Sequence, residues 1–342
     1  MSAITQIIYL NFKEYAVVNS TVELVKNKKI NIYPGFVNAV LKKISKDKSK
    51  LQKTKIQFND FPYWFTKVFK GFSKEERVNF INSIIDKPNL HLVFKNSITK
   101  SFHKLNSIQT TTKSIVIFES PPIEKLPRYS KGEWWVQDYS TMLPLYLTNN
   151  LHNKSVIDMC SAPGGKSLQA LSSGAILDMI EINPKRANLL QSNLNRLNFK
   201  NKVIIKDALT ISHHKKYDYV LIDSPCSSVG TIRRNPEIFF RKSAPNLQEL
   251  LVKQENLLNT AKEILKKNGI IIYMVCSFLP IETTIQVKKF LKENTNFLID
   301  KFIFHSEHKN LIEHNGYIKI LPKKFKKFNI DGFFAVKLIK ND

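Results

Sequence analysis

The chain has 342 residues, 43% of them apolar, and its 53 basic and 28 acidic side chains leave a formal charge of +25. At about 150 residues per domain this length suggests two domains with real cores and excludes a disordered chain. The longest apolar run, Gly269–Pro280, falls short of the roughly 20 residues of a membrane helix, and three widely spaced cysteines exclude a disulfide framework and a CxxC zinc site.

The N-terminus lacks the basic-then-apolar pattern of a secretion signal, so a cytoplasmic protein without membrane attachment, working as a monomer, is expected. Seven of the 53 basic residues are arginine and the rest lysine. A positive excess of this size fits a polyanionic partner such as nucleic acid.

Residues 1–50 read as helical. Pro34 and Gly35 open FVNAVLKKIS, which sets Phe36, Val37, Val40, Leu41 and Ile44 on one face and lysines on the other. The run KDKSKLQKTK (46–55) reads as a solvated linker. Residues 60–87 give one or two short helices, with Ser73 and Glu76 in capping-box spacing. Short β-like runs, HLVF and SIVIF, mark residues 90–125.

From Gly132 the rhythm changes to buried-strand runs alternating with helical patterns. The strands are SVIDM (155–159), AILDMI (175–180), KVII (202–205), YDYVLID (217–223) and GIIIYMV (269–275). Helical patterns include Pro184–Leu197 and Asn246–Lys267. Such alternation predicts a mostly parallel sheet with helices on both faces, binding its ligand outside the carboxyl ends of the strands. The residues able to do chemistry all follow strands.

Asp158-Met-Cys-Ser-Ala-Pro-Gly-Gly-Lys-Ser167 leaves the first of these strands and opens a helix. Gly164 and Gly165 allow backbone shapes and close approaches that a β-carbon would block. The dinucleotide fingerprint is absent, and the P-loop fails because Cys160 stands where its first glycine belongs. Glu181, at the tip of the second strand, sits where an acid can accept both ribose hydroxyls, and Asp207, after the third, can accept from an adenine amino group. Pro225 in Asp223-Ser-Pro-Cys226 stiffens a turn that aims Asp223 and Cys226 into one cleft, and Arg233 and Arg234 follow where a phosphate can sit. Cys276 ends the fifth strand, as core filler or as a thiol facing the same cleft near Lys166 and Asp223.

The segments DMCSAPGGKS, EINPKR, DSPCSSVGTIRRNPE, YMVCS-x-x-x-x-E and DGFFAVKLIK, with GEWWVQDYSTMLP upstream, resemble the RsmB/Sun-type RNA cytosine-5 methyltransferases. FVNAVLKKIS and PYWFTKVF look like the end of the NusB-like helical domain and the linker of the branch that modifies 16S ribosomal RNA. The resemblance implies a Rossmann-like α/β methyltransferase domain with a mostly parallel seven-stranded sheet over 129–342. It implies a shortened NusB-like RNA-binding segment over 1–50 and a small α+β RNA-binding subdomain over 51–128. S-adenosyl-L-methionine (AdoMet) would lie against Cys160, Ser161, Ala162, Pro163, Gly164, Gly165, Lys166, Glu181, Asp207 and Asp223. Cys276 would be the nucleophile, with Cys226 releasing the product and Asp223 and Lys166 assisting. The substrate implied is RNA, foremost small-subunit ribosomal RNA.

The chemistry accounts for the residue types. Cytosine C5 is a poor nucleophile until a thiolate adds at C6 and makes it enamine-like. A thiolate needs positive surroundings, which Lys166 offers. Four other readings compete: a tRNA or other RNA cytosine-5 methyltransferase, a DNA enzyme using Cys226 as nucleophile, an amino-directed enzyme using Asp223-Ser-Pro-Cys226 without a thiol, and a non-catalytic RNA-binding assembly factor.

Overall fold

The computed structural model describes residues 1–27, 33–69, 72–102, 104–119, 121–148, 151–240, 245–303, 308, 311–313 and 315–341. Of the helical stretch expected over 1–50, residues 28–32 lie outside this set. Two units divide after Asp60, Met1–Asp60 and Phe61–Asp342. No helix of the described residues is long and apolar enough to cross a membrane.

Among its described residues the first unit has four α-helices, α1 (Ser2–Ile8), α2 (Glu14–Asn27), α3 (Pro34–Lys46) and α4 (Lys48–Gln52), and a 3-10 turn at Phe58–Asp60. Pro34 opens α3, where a missing N–H costs nothing. Ile7, Val17, Val18 and Leu41 form the core, with Val37 and Ile44 packed against it. Phe36, expected on this face, is exposed. It precedes Leu41 by five residues, well over one turn, and so points away from the core stripe. The lysine-rich run expected to be a linker carries α4 instead. Gln52 Nε2 donates to Ile8 O at 2.6 Å, which fastens this helix to α1.

The second unit starts with α5 (Tyr63–Val68) and α6 (Lys74–Ile85). The expected capping box closes α6: Glu76 N donates to Ser73 Oγ at 3.1 Å and Ser73 N to Glu76 Oε2 at 2.7 Å. Phe69 and Phe80 pack edge-on against Phe278, with centroids 5.6 and 5.9 Å away. Phe278 lies two residues beyond Cys276, so these helices brace a loop of the site.

Next come β1 (Leu90–Phe94), β2 (Ser107–Thr111), β3 (Ser114–Ile117) and β4 (Trp134–Val136), an antiparallel sheet in the order β2-β3-β1-β4. Strand alternation splits its side chains between two cores. Leu92, Phe94, Ile115, Ile117 and Trp134 pack on one face with Phe102 and Leu126. Val93, Val116 and Trp135 join the main core.

The main sheet follows α7 (Tyr139–Tyr146). Its elements are β5 (Ser155–Asp158), α8 (Gly165–Ser172), β6 (Ile176–Glu181), α9 (Pro184–Arg196), β7 (Val203–Ile205), β8 (Tyr217–Asp223), α10 (Leu247–Ile264), β9 (Leu265–Val275), α11 (Thr284–Glu293), β10 (Phe297–Asp300), β11 (Ile318–Ile320), the hairpin β12 (Lys323–Phe325) and β13 (Phe328–Ile330), and β14 (Phe333–Lys340). The strand order is β10-β14-β9-β8-β5-β6-β7, with β11 paired to β14. The five strands from β7 to β9 are mutually parallel, as the sequence predicts. β14 inserts antiparallel between β9 and β10. The helical pattern expected to reach Lys267 stops at Ile264, because Leu265 pairs with Tyr217 in the sheet.

Leu168, Ala170, Leu190 and Leu194 of α8 and α9 cover one face of this sheet, with Met142 and Leu143 of α7. Leu257, Leu258, Ala261, Val287 and Phe290 of α10 and α11 cover the other. The chain leaves β5 toward β6 on one side and returns to pair β8 on the other. This reversal opens a crevice at the carboxyl ends of β5 and β8, the place where such sheets bind ligands.

Candidate active site

A cavity of about 540 Å³ occupies that crevice. Every strand from β5 to β9 contributes to it through its end or the loop that follows. Cys160, Ala162 and Pro163 come from the loop after β5, Glu181 and Ile182 from β6, Asp207 and Ala208 from beyond β7, Asp223 and Cys226 from β8, and Cys276 from β9. The volume lies within the usual 300–1,000 Å³ of a small-molecule site.

Asp158 fixes the loop after β5. Ser167 Oγ donates to its Oδ2 at 2.6 Å and Cys160 N to its Oδ1 at 3.3 Å, which ties strand, loop and α8 together. Burial holds its carboxyl up at about 6. Ser161, Gly164, Gly165 and Lys166 shape the cavity from behind instead of lining it. Ser161 Oγ donates to Ile180 O at 2.9 Å. Gly164 has φ 113°, and a β-carbon there would stand 2.3 Å from Leu190 Cδ1, so glycine is required by backbone and by helix packing alike.

Glu181 is buried at the tip of β6. Its Oε2 accepts from Ala162 N at 3.3 Å and its Oε1 from Asn183 N at 2.9 Å. Arg186 Nη1 stands 3.8 Å from Oε2, and the two hydrogen bonds leave part of a carboxylate's accepting capacity for a ligand. Asp207 caps the turn after β7, accepting from Leu209 N at 3.0 Å. Lys166 Nζ donates to Asp223 Oδ2 at 2.7 Å, an ion pair reaching from α8 to the end of β8.

The two cysteines of adjacent strands meet in the same cavity. Cys226 Sγ and Cys276 Sγ are 3.4 Å apart, and Ser228 Oγ is 3.6 Å from Cys276 Sγ. The pair shares one hydrogen bond asymmetrically. Either sulfur can be the donor, and the hydrogen bond with Cys226 pulls the Cys276 pKa down. The same bond, with burial, pushes Cys226 up. Cys160 is raised as well, by burial first and then by Asp158 and Asp223. The thiolate is the reactive form, so iodoacetamide at neutral pH is expected to alkylate Cys276 before Cys160, with half-maximal rate below the pH of an ordinary thiol. Peptide mapping across a pH series checks this; equal labelling of both cysteines contradicts it.

One buried residue that the sequence reading left without a role organises both thiol loops. Glu282 Oε2 accepts from Ser227 Oγ and from Ser277 Oγ, each at 2.5 Å. Its Oε1 accepts from Ser227 N at 2.8 Å and Gln254 Nε2 at 3.2 Å. Ser227 and Ser277 directly follow Cys226 and Cys276, so one carboxylate sets the spacing of the two sulfurs. The hint in the sequence was the repeated Cys-Ser, with an acid five residues after the second serine.

Arg233 and Arg234 do not form the expected phosphate clamp. Arg233 is buried and donates to Asp331 Oδ1 at 2.8 Å, and Arg234 Nε donates to Asp331 Oδ2 at 2.6 Å. Asp138 lies 3.5 Å from Arg233. Two buried carboxylates remote in sequence claim the guanidinium groups. The same loop packs tightly against the tail: Gly230 N donates to Cys276 O at 3.0 Å, and Gly332 N donates to Gly230 O at 2.8 Å. A β-carbon on Gly230 would stand 2.1 Å from Gly332 O, so only glycine admits this approach.

The site has relatives. A sequence model of the family described as 16S rRNA methyltransferase RsmB/F matches residues 145–339, and one of the NusB family matches residues 1–46. Ribosomal RNA small subunit methyltransferase B of Shewanella oneidensis is 27% identical, over 98% of this chain and 80% of that protein. The protein of the same description from Photorhabdus laumondii is 27% identical, over 86% and 73%. Among solved structures, NSun6 from Pyrococcus horikoshii with SFG superposes with a TM-score of 0.68 at 16% identity, over 81% of this chain and 97% of that one. The structure of PH0851 gives a TM-score of 0.80 at 18% identity, over 99% and 80%. At these identities the structural likeness speaks to the fold.

Proposed function

Because the chain belongs to the RsmB/F family of 16S rRNA methyltransferases, we propose that it methylates C5 of a cytosine in small-subunit ribosomal RNA through a covalent bond between Cys276 and C6 of the base. The observation that carries this reading is the thiol pair, 3.4 Å apart, in the wall of the cofactor cavity. An amino-directed enzyme has no use for such a pair.

The cavity fits AdoMet. Glu181 offers carboxylate oxygens to ribose hydroxyls and Asp207 an acceptor to the adenine amino group. Ile182, Ala208 and Leu257 supply an apolar wall, and the charged lining is mixed, with Glu181, Asp207 and Asp223 beside Arg186 and Lys253. When bound, AdoMet supplies an electrophilic methyl group. Cys276, its pKa lowered by the hydrogen bond with Cys226, adds to C6 of the pyrimidine and raises the electron density at C5. Asp223, held by Lys166 from behind, would meet the polar N3 edge of the base and stabilise the charge that develops there. After the methyl group is on C5, the C5 proton passes to solvent water with Cys226 assisting; its electron pair restores the C5–C6 double bond as the C6–sulfur bond breaks, and Cys276 leaves as the thiolate. The target base must be unstacked to reach the thiol, which costs a few kcal/mol and favours loops or incompletely folded RNA. On this reading residues 1–50 and 51–128 serve RNA docking and the enzyme works as a cytoplasmic monomer.

Incubating the protein with AdoMet and a 16S rRNA transcript, then sequencing after bisulfite treatment, tests the reaction. A protected cytosine is expected, and its absence with methyl incorporated elsewhere overturns the reading. Glu181→Ala is expected to weaken AdoMet about 10- to 100-fold, the worth of one or two charge-assisted hydrogen bonds. Titration calorimetry showing unchanged affinity removes Glu181 from the site.

A further inference from the structure

The hairpin β12–β13 has no part in the cavity, yet it is wired to it. Ile330 ends the hairpin, and the next two residues are Asp331, which binds Arg233 and Arg234, and Gly332, which bonds Gly230. Gly230 in turn donates to the carbonyl of Cys276. The hairpin is also firmly seated. Phe325 and Phe328 are buried against Tyr139, with centroids 5.6 and 5.4 Å away. Asn329 N donates to Asn89 Oδ1 at 2.9 Å, and Pro322 O accepts from Ser83 Oγ at 2.8 Å.

Its outer side is basic. The segment Lys323-Lys-Phe-Lys-Lys-Phe328 alternates buried rings with exposed Lys324, Lys326 and Lys327. Among the described residues neither Lys324 nor Lys327 has an ion-pair partner, so their charges are unspent within the fold. The turn adds an independent sign. Lys326 has φ 54°, a left-handed backbone that glycine or asparagine adopts far more cheaply, and hairpin turns ordinarily place those residues there. The Lys326 ammonium lies over the Phe325 ring, 5.6 Å from its centroid, so this turn lysine stands beside a ring seated in the core.

We propose that the β12–β13 hairpin is a phosphate-docking finger, on which Lys324, Lys326 and Lys327 hold the backbone of the single-stranded RNA flanking the target cytosine. The assignment rests on the RNA-directed reading above and adds where the strand is gripped. A rigid anchor one residue from Asp331 fixes the register of the backbone relative to Cys276. Contacts to phosphate position the strand and carry no sequence information, while the choice of base falls to the cavity.

The test measures binding of a 16S rRNA transcript over a range of salt. Each phosphate contact on single-stranded RNA contributes about 0.7 to the slope of log affinity against log salt, so Lys324→Gln with Lys327→Gln should lower it by about 1.4. Taking 1 M salt as the point where the contribution vanishes, that amounts to about a 25-fold loss at 0.1 M. Lys326→Gly relieves the left-handed backbone, so it should keep or raise the melting temperature while weakening RNA. AdoMet affinity reports that the fold is intact. Unchanged RNA affinity and slope in both variants overturn the finger. The wild-type protein run beside them separates the two claims: if it forms no 5-methylcytosine the function is wrong, whereas if it does and the variants bind normally, only the finger is.

Discussion

Cys276→Ser is expected to abolish methyl transfer, and Cys226→Ser to leave the protein joined to its RNA in a complex that survives a denaturing gel. The two substitutions are equal in size and their sulfurs are 3.4 Å apart, so a structural effect would be shared by both. The chemistry divides them. Serine at 276 cannot supply a thiolate, the species that bonds C6, and the loss should exceed about 10³-fold, as for removal of a covalent nucleophile. Serine at 226 leaves bond formation possible and removes the group that assists release, so the complex accumulates. Serine keeps a donor beside Cys276, whereas Cys226→Ala removes the hydrogen bond that lowers it. The ascending limb of adduct formation in Cys226→Ala should therefore move to higher pH than that of Cys226→Ser. An adduct with Cys276→Ser and none with Cys226→Ser would exchange the two roles.

Glu282→Ala carries the second large effect, although Glu282 stands behind the thiols and reaches the base only through them. Its carboxylate takes four hydrogen bonds from three residues, and the group is wholly buried. On truncation the two hydroxyls keep each other at 3.2 Å and the Gln254 amide keeps Pro225 O at 3.1 Å, so the Ser227 backbone N–H is the group left unpaired, at about 1–3 kcal/mol. The loops bearing Cys226 and Cys276 then lose the link that sets their spacing. A displacement of about 1 Å at a reacting pair costs on the order of 100-fold in rate, and that is the loss expected in kcat, with AdoMet affinity little changed. Glu282→Gln separates position from charge, since the amide keeps the shape. Loss of the negative charge, one of the causes raising Cys226, should lower the Cys226 pKa and shift the pH profile while recovering most of the rate. A Glu282→Ala enzyme with wild-type kcat would show that the carboxylate does not position the thiols.

Local signals in the sequence placed most of the catalytic unit. Each parallel strand is a short apolar run that a buried strand requires, and Cys160, Glu181, Asp207, Asp223, Cys226 and Cys276 end such runs or lie in the loops after them, so periodicity brought them to one edge; Arg186 and Lys253, which line the cavity from α9 and α10, carry no such signal. Long-range partners were not legible. Arg233 and Arg234 read as a phosphate clamp because arginine grips phosphate with two hydrogen bonds; their carboxylate, Asp331, arrives nearly 100 residues later, between the hairpin and the strand that inserts beside β9. Glu282 was visible as a motif acid but not as the partner of Ser227, which another loop supplies. In the N-terminal unit, lysine density suggested a linker at 46–55, where helix α4 is held by Gln52, which bonds Ile8, and by Lys48, which pairs with Glu14 at 3.8 Å.

The account turns on which atom of the protein joins the pyrimidine. Replacing C5–H of the target by C5–F removes the proton whose loss precedes release, so the wild-type enzyme, AdoMet and a transcript containing 5-fluorocytidine should arrest as a covalent complex. After nuclease and protease digestion, mass spectrometry should find the methylated fluoropyrimidine nucleotide on the peptide that contains Cys276. The same mass on the Cys226 peptide, or methylated RNA without any protein adduct, would contradict the assignment of Cys276 as the nucleophile.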